Sequence, residues 1–217
     1  MNRAYFLTGT DTEVGKTLAA CALLHAAAAR GMRTLGMKPV AAGGSEDVDA
    51  LIAASSVAAP RECVNPYLLR EPLAPHIAAR RDGMVIDIAH IARCFGELCG
   101  MADFIVVEGV GGFRVPLDES RDSADLAVSL GLPMILVVGL RLGCINHALL
   151  TAEAVRACGL RLAGWIANQV DAKMACVEEN ITALHARLDA PLLGSVPHLA
   201  APEAARVAGI LTLPEDW

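Results

Sequence analysis

The stretch Phe6-Leu-Thr-Gly-Thr-Asp-Thr-Glu-Val-Gly-Lys-Thr17 gathers residues able to hold a polyanion. A short apolar run leads into a glycine-bounded loop, then Lys16, Thr17 and an alanine-rich segment of helical character. Backbone N–H groups at the start of such a helix point into the loop, and the positive end of the helix dipole favours an anion there. Lys16 can reach terminal phosphate oxygens, and the Thr17 hydroxyl can ligate a magnesium ion bridging them. Gly9 and Gly15 enclose five residues, one more than the Walker A spelling has. The flanking strand, the Gly-Lys-Thr and the helix-forming run 18–29 favour a bound nucleotide over a plain strand-to-helix turn.

A second set of residues supports the same chemistry. Phe104-Ile-Val-Val-Glu108, followed by Gly109-Val-Gly-Gly112, has the form of a Walker B strand, with glutamate where aspartate is usual. An acid that ends a buried strand is desolvated at real cost unless a cation or a hydrogen-bond donor meets it. Lys38, in Met37-Lys-Pro-Val40, stands where another apolar strand meets the ligand-binding edge; its partner is an anion, or it snorkels to solvent. Residues 41–44 are small and allow close approach of a substrate, or form a plain flexible loop. Asp47 and Asp49 open the next helix, Asp47 reading as its cap and Asp49, one step inside, as the metal-ligand candidate.

Nearer the C-terminus, Asn168-Gln169-Val170-Asp171 has the form by which GTP-binding proteins read guanine, although an asparagine amide pairs with adenine as well. Pro197, His198 and Leu199 would lie near the base. Gly143-Cys144-Ile145-Asn146-His147 begins a helix whose N–H groups could hold a carboxylate, or Asn146 simply caps it.

The elements that must position these residues alternate between strand and helix, the mark of an α/β sheet with right-handed crossovers. Strands are expected at 4–8, 34–39, 104–108, 134–139, 162–168 and 192–196, and helices at 17–30, 47–55, 87–100, 123–130, 146–158 and 173–188. The stretch 60–84, with Pro60, Pro66, Pro72, Pro75 and Arg80-Arg81, reads as one long irregular loop of functional kind. Residues 1–217 are expected to form a single catalytic domain, a P-loop NTPase-like three-layer sandwich around a mostly parallel sheet.

Composition agrees. Hydrophobic residues make up 54% but aromatics only 4%, as when aliphatic parallel strands are buried between helix layers. The net charge of -6 and pI near 5.5 offer no basic field for nucleic acid. No apolar run reaches the length of a membrane span, and the loop residues begin almost at once, so no signal peptide and a cytoplasmic location are expected. The seven cysteines include no Cys-x-x-Cys, and reduced core residues are expected.

With these motifs in place, the sequence resembles the dethiobiotin synthetases, ATP-dependent carboxylases of biotin biosynthesis. The likeness runs nearly end to end through Gly9–Thr17, Lys38-Pro-Val40, Asn65-Pro-Tyr67, Pro75-His76, Val107-Glu-Gly109, Gly111-Gly112, Leu142-Gly-Cys-Ile-Asn-His147 and Ala190-Pro-Leu-Leu-Gly194. The long loop spacing is that family's own form. The resemblance implies that carbon dioxide and ATP close a cyclic urea on 7,8-diaminopelargonic acid, through a carbamate and a carbamic-phosphoric anhydride. It assigns Lys16 and Lys38 to catalysis, and Thr17, Asp49 and Glu108 to magnesium. Glu13, Val14, Gly15, Lys16, Thr17 and Leu18 would wrap ATP, with Asp49, Glu108, Gly109, Val110 and Gly111 beside its phosphates. Asn168, Gln169, Pro197, His198, Leu199 and Glu203 would meet adenine, which displaces the guanine reading.

Thr10, Lys38 and Ala42 would face the diamine. Cys144, Ile145 and Asn146 would hold its carboxylate across a homodimer interface, helped by the partner's helix 173–188. Two positions depart from the family: Ala42 where a serine is common, and Asn180 where some members carry tyrosine. The lysine that partitioning ATPases carry early in the loop is absent, Thr10 and Asp11 standing there.

Overall fold

The computed structural model describes residues 3–214. Six strands form one parallel sheet: β1 (Arg3–Gly9), β2 (Thr34–Met37), β5 (Phe104–Glu108), β6 (Met134–Leu140), β7 (Leu162–Gln169) and β8 (Leu192–Val196). Their order is β2-β5-β1-β6-β7-β8. Between β2 and β5 in sequence, β3 (Val40–Ala42) pairs in parallel with β4 (Tyr67–Leu69) as a separate two-stranded sheet.

Alternate side chains of each strand enter two cores, as the two-residue period of a strand requires. From β1, Tyr5 and Leu7 join the cluster around Leu23 and Leu24 of α1 (Lys16–Ala28). Phe6 faces the other cluster, with Ile91 and Leu98 of α5 (Ile88–Cys99) and Ala148 of α7 (Cys144–Ala157). Helices therefore cover both faces, and the strands are aliphatic because they meet no solvent on either side.

The expected strands are all present, with bounds within two residues of those read from the sequence. The last long helix is shorter than expected, α8 (Val177–His185). The stretch 60–84 departs most. It holds α3 (Arg61–Val64), β4 and α4 (Pro75–Asp82) rather than one irregular loop. Its prolines start elements as well as break them: Pro60 is the residue before α3, and Pro75 is the first of α4, where a missing N–H costs nothing. Pro72 packs on the left-handed turn at Gly43 (φ 89°), where a Cβ would lie 2.5 Å from the proline ring.

Two features of this sheet place the chemistry. β1 lies between β5 and β6, so the chain runs to one side of it first and to the other later, and a ligand crevice opens beyond its carboxyl end. In addition, the register sets Met37 beside Val107 and Leu7 beside Glu108. Lys38, one step past β2, is thereby level with Glu108, while the loop after β1 opens on the other side of that carboxylate.

Candidate active site

The loop between β1 and α1 is held in an unusual shape from several sides. Glu13 and Gly15 both adopt left-handed backbone, at φ 58° and 87°. Val14 between them is buried, and a Cβ on either Gly9 or Gly139 would come within 2.6 Å of its methyl groups. Its side chain is thus a plug in the core, and only its main chain is left to face a ligand. The Val14 carbonyl accepts a hydrogen bond from Asn168 Nδ2 at 2.8 Å, and a Cβ at Gly15 would collide with that same amide. No side chain caps α1, so its first-turn N–H groups remain open to an anion. Lys16 arches over the loop, its Nζ donating to the Asp11 carbonyl at 2.8 Å.

Four polar side chains meet beside this loop. Lys38 Nζ lies 2.6 Å from Glu108 Oε1 and 2.7 Å from Asp47 Oδ2. Thr17 Oγ1 lies 2.8 Å from Asp47 Oδ1 and 2.9 Å from Glu108 Oε1, and its one proton can serve only one of them. Glu108 Oε2 is buried with no hydrogen-bond partner. A hydroxyl and two carboxylates, one with an orphaned oxygen, form the hard-oxygen set that suits magnesium, which takes few protein ligands and completes its shell with waters and phosphate. Among the described residues no group of three or more His, Cys, Asp or Glu forms an all-protein metal cage.

The electrostatics follow from this crowding. Burial pushes the Glu108 carboxyl up from its ordinary value, opposed by the Lys38 charge. Lys38 is itself disfavoured by burial, yet Glu108 and Asp47 together hold its ammonium above the usual lysine range. Partial burial would raise Asp47 too, but the ammonium of Lys38 outweighs it and keeps the carboxyl low. Lys16 has no such partner at full contact: burial, then repulsion from Lys38, lowers it to about 8.

A cavity of about 290 Å³ contains this cluster, lined by Glu13, Gly15, Lys16, Thr17, Lys38, Ala42, Asp47, Glu108, Val110 and Gly111 among others. A second, of about 280 Å³, shares Glu13 and Gly15 and continues to Leu18, Asn168, Gln169, Pro197, His198 and Leu199. Two spaces of similar volume, one lined by charged side chains and one mostly apolar, thus meet at the loop.

Several sequence expectations change at this site. Asp49 is not in the cluster: its carboxylate accepts from Ser45 Oγ at 2.7 Å and pairs with Arg61 at 2.7 Å. Asp47, expected as a cap, takes its place. Two residues apart on a helix are about 200° apart around its axis, so only one of the two acids can face the loop. Asn146 does not cap α7, which starts two residues earlier with Gly143 (φ 94°) at its N-cap. Glu203 stands at the N-cap of α9 (Ala204–Val207), and its neighbour Pro202 lines the second cavity instead. Gly109 lies behind Glu108, its N–H donating to the Leu7 carbonyl. Thr10, Cys144, Ile145 and Asn146 line neither cavity. Asn180 packs within its own chain, beside Cys144 and bonded to the Cys176 carbonyl at 2.8 Å.

One contributor escaped the sequence reading. Asn65 Nδ2 donates to the carbonyls of Lys38 (2.6 Å) and Tyr67 (3.1 Å), fixing the chain where β2 ends and Lys38 turns in. The motif Asn-Pro-Tyr was visible, but nothing in its spacing tied it to a residue 27 positions away.

A family model described as an AAA domain matches residues 3–206. The ATP-dependent dethiobiotin synthetase BioD of Aromatoleum aromaticum is 58% identical over 220 residues, covering 98% of both chains. The protein of the same name from a Janthinobacterium species is 55% identical, covering 95% of this chain and 92% of its own. Among solved structures, the septum site-determining protein MinD of Pyrococcus horikoshii, complexed with Mg-ADP, superposes with a TM-score of 0.62 at 16% identity over 97% of this chain and 87% of that one, a likeness of fold alone. No helix among the described residues is long and apolar enough to cross a membrane. By its near full-length identity to curated members, the chain belongs to the ATP-dependent dethiobiotin synthetase family.

Proposed function

We propose that this chain catalyses the ATP-dependent formation of dethiobiotin from 7,8-diaminopelargonic acid (7,8-diaminononanoate) and carbon dioxide, as one catalytic domain. One amine adds to carbon dioxide and loses a proton, giving a carbamate. A carbamate oxygen attacks the γ-phosphorus as the bond to ADP breaks. The second amine then attacks the carbonyl of the mixed anhydride, phosphate leaves, and the cyclic urea closes. The observation that carries this reading is the place of Lys38: an ammonium fixed by two carboxylates, in the same cavity as Lys16 and the open N-terminus of α1.

The reaction needs two anions brought together more than it needs an acid–base pair, because carbamate and triphosphate repel each other until they react. Lys16 binds the terminal phosphates from the loop side. Lys38 faces it from the β2 side, where it contacts carbamate and γ-phosphate together and stabilises charge moving between them. Magnesium, held by Thr17, Asp47 and Glu108, supplies further positive charge at the phosphate oxygens when bound. Val110, Gly111 and the N–H groups of Gly15 to Leu18 enclose the triphosphate. The adenine enters the second cavity beside Asn168, Gln169 and Pro197 to Leu199. Thr10 and Ala42 border the diamine.

The diamine's own carboxylate is held at a homodimer interface by Cys144, Ile145 and Asn146, helped by the partner's helix 173–188. Supporting this, that segment borders neither cavity of its own chain, while Leu142 beside it is 98% exposed and Leu150 on α7 is 56% exposed. The enzyme works in the cytoplasm, where ATP is supplied. Phosphate release from ATP is expected to require both the diamine and bicarbonate. Turnover at an undiminished rate without diamine would overturn the reading and favour a nucleotide switch on the same fold.

A further inference from the structure

Asp11 places a carboxylate inside a loop shaped to hold a polyanion, and the reaction above gives it no role. Its charge is met from outside the loop. Arg141, the residue immediately after β6, sets its Nη2 2.5 Å from Asp11 Oδ2. The other oxygens of Asp11 are used within the loop: Oδ1 accepts the Thr12 N–H at 2.8 Å, and the carbonyl accepts Lys16 Nζ at 2.8 Å. One residue therefore joins a guanidinium, a turn and the lysine that must meet phosphate.

The loop depends on such ties. Glu13 sits at φ 58° without being glycine, a conformation that persists only where the surroundings enforce it. Thr10 is fixed at one end, its N–H donating to the Val137 carbonyl at 3.0 Å and its hydroxyl accepting from the Gly139 N–H at 3.3 Å. Asn168 fixes the other end through Val14. Arg141 holds the middle by a tie between opposite charges.

We propose that Arg141 is a positioning residue for the triphosphate, acting through Asp11: it cancels that carboxylate and keeps the loop in the shape that presents Lys16 and the N–H groups of α1. Without Arg141, the Asp11 carboxylate, one residue from the cavity-lining Thr12, is left uncompensated beside the space the triphosphate would fill.

The test is equilibrium binding of Mg-ATP to the full chain at low salt, with no diamine or bicarbonate. Arg141→Ala should weaken binding about fivefold, the scale of a half-exposed ion pair, and the deficit should shrink as salt rises. Arg141→Lys should stay within about twofold of the parent, since the charge is kept. Asp11→Asn combined with Arg141→Ala should recover most of the loss, a rescue that a merely structural arginine would not give. Asp11→Asn alone keeps an acceptor oxygen and should bind at least as tightly as the parent. Affinity of Arg141→Ala within experimental error of the parent, a double variant no better than the single, or weaker binding by Asp11→Asn alone would each overturn the proposal. Should Arg141→Ala fail to fold, Arg141→Gln takes its place with the same expected deficit, salt dependence and rescue by Asp11→Asn. This inference rests on ATP binding in the proposed function. A parent that binds Mg-ATP but shows no diamine-dependent turnover would sink the proposed reaction and leave the Arg141 series to stand or fall by itself.

Discussion

The two cavities that meet at the phosphate loop are built by opposite means. One draws Lys16, Lys38, Asp47 and Glu108 from four different segments into a cluster in which three of the four are buried and Lys38 is fixed by both carboxylates. The other is lined mostly by glycine, proline and aliphatic residues, and its amide side chains are already engaged: Asn168 with the Val14 carbonyl, Gln169 with the Asp171 carbonyl. Where the proposed reaction moves charge between substrates, ammonium and carboxylate groups are held together in a largely buried cluster. Where, in the proposed reaction, a flat base is accepted, the lining is mostly apolar. Substitutions in the first cavity should therefore change turnover steeply, and those in the second only slightly.

The largest effect is expected at Lys38. Lys38→Met should lower kcat by about 10²–10³-fold, the loss typical of a removed charge-stabilising group, while Mg-ATP affinity changes little. Turnover assays and calorimetric titration separate the two, and a loss confined to nucleotide affinity would reassign Lys38 to simple binding. The same variant leaves Glu108 buried without its counter-ion, so its stability should fall by roughly 3–5 kcal/mol and recover in part with added magnesium. A melting curve with and without the metal checks that directly.

The next contrast is between neighbouring acids. Asp47→Asn should raise the magnesium concentration needed for half-maximal turnover by about 10–100-fold, whereas Asp49→Asn should stay near the parent because it removes only a surface pair. The reverse pattern would return the metal to Asp49.

A smaller and graded effect concerns pH. Burial and the nearby Lys38 lower Lys16 to about 8, so its ammonium is present below that pH and lost above it. Mg-ATP affinity of the free enzyme should hold steady up to about pH 8 and then decline by at most about tenfold per unit. Lys16→Arg keeps a fixed charge and should flatten that decline even if it binds less well. The smallest effect is expected at Asp171, whose Oδ1 accepts the Lys173 N–H and which lies outside the base cavity. Asp171→Ala should leave the KM for ATP within about twofold, as for a surface substitution. A parent that prefers GTP would restore the guanine reading and erase the contrast between the cavities.

The unequal legibility of the sequence follows the same division. Strands β1, β5, β6, β7 and β8 were readable because aliphatic runs buried on both faces announce themselves, and Lys16, Thr17 and Glu108 because they stand at fixed distances from such runs. The small sheet of β3 and β4 and the single-turn α3 were not, because elements of three or four residues carry no periodic signal, and four nearby prolines look like breakers even where they begin a helix. The choice between Asp47 and Asp49 was beyond spacing alone, since an uncertainty of one residue in where a helix starts turns its face by about 100°. Lys38 could be placed at a strand end, yet its partners lie 9 and 70 residues away and are joined to it only by the fold. Arg141 and Asp11, 130 residues apart, were hidden for the same reason.

If the cluster joins a triphosphate to a carbamate, the path of the carbamate oxygen is the sharpest probe of it. Turnover would be run with freshly dissolved carbon dioxide carrying oxygen-18, together with diamine and unlabelled ATP, and the released phosphate examined by mass spectrometry. The oxygen bridging carbon and phosphorus should leave with phosphate, so the phosphate should carry one labelled oxygen per turnover. Unlabelled phosphate, formed at the rate of product, would mean that ATP is cleaved without passing its phosphoryl group to the carbamate, and would contradict the role of Lys38 and its two carboxylates in bridging the two anions.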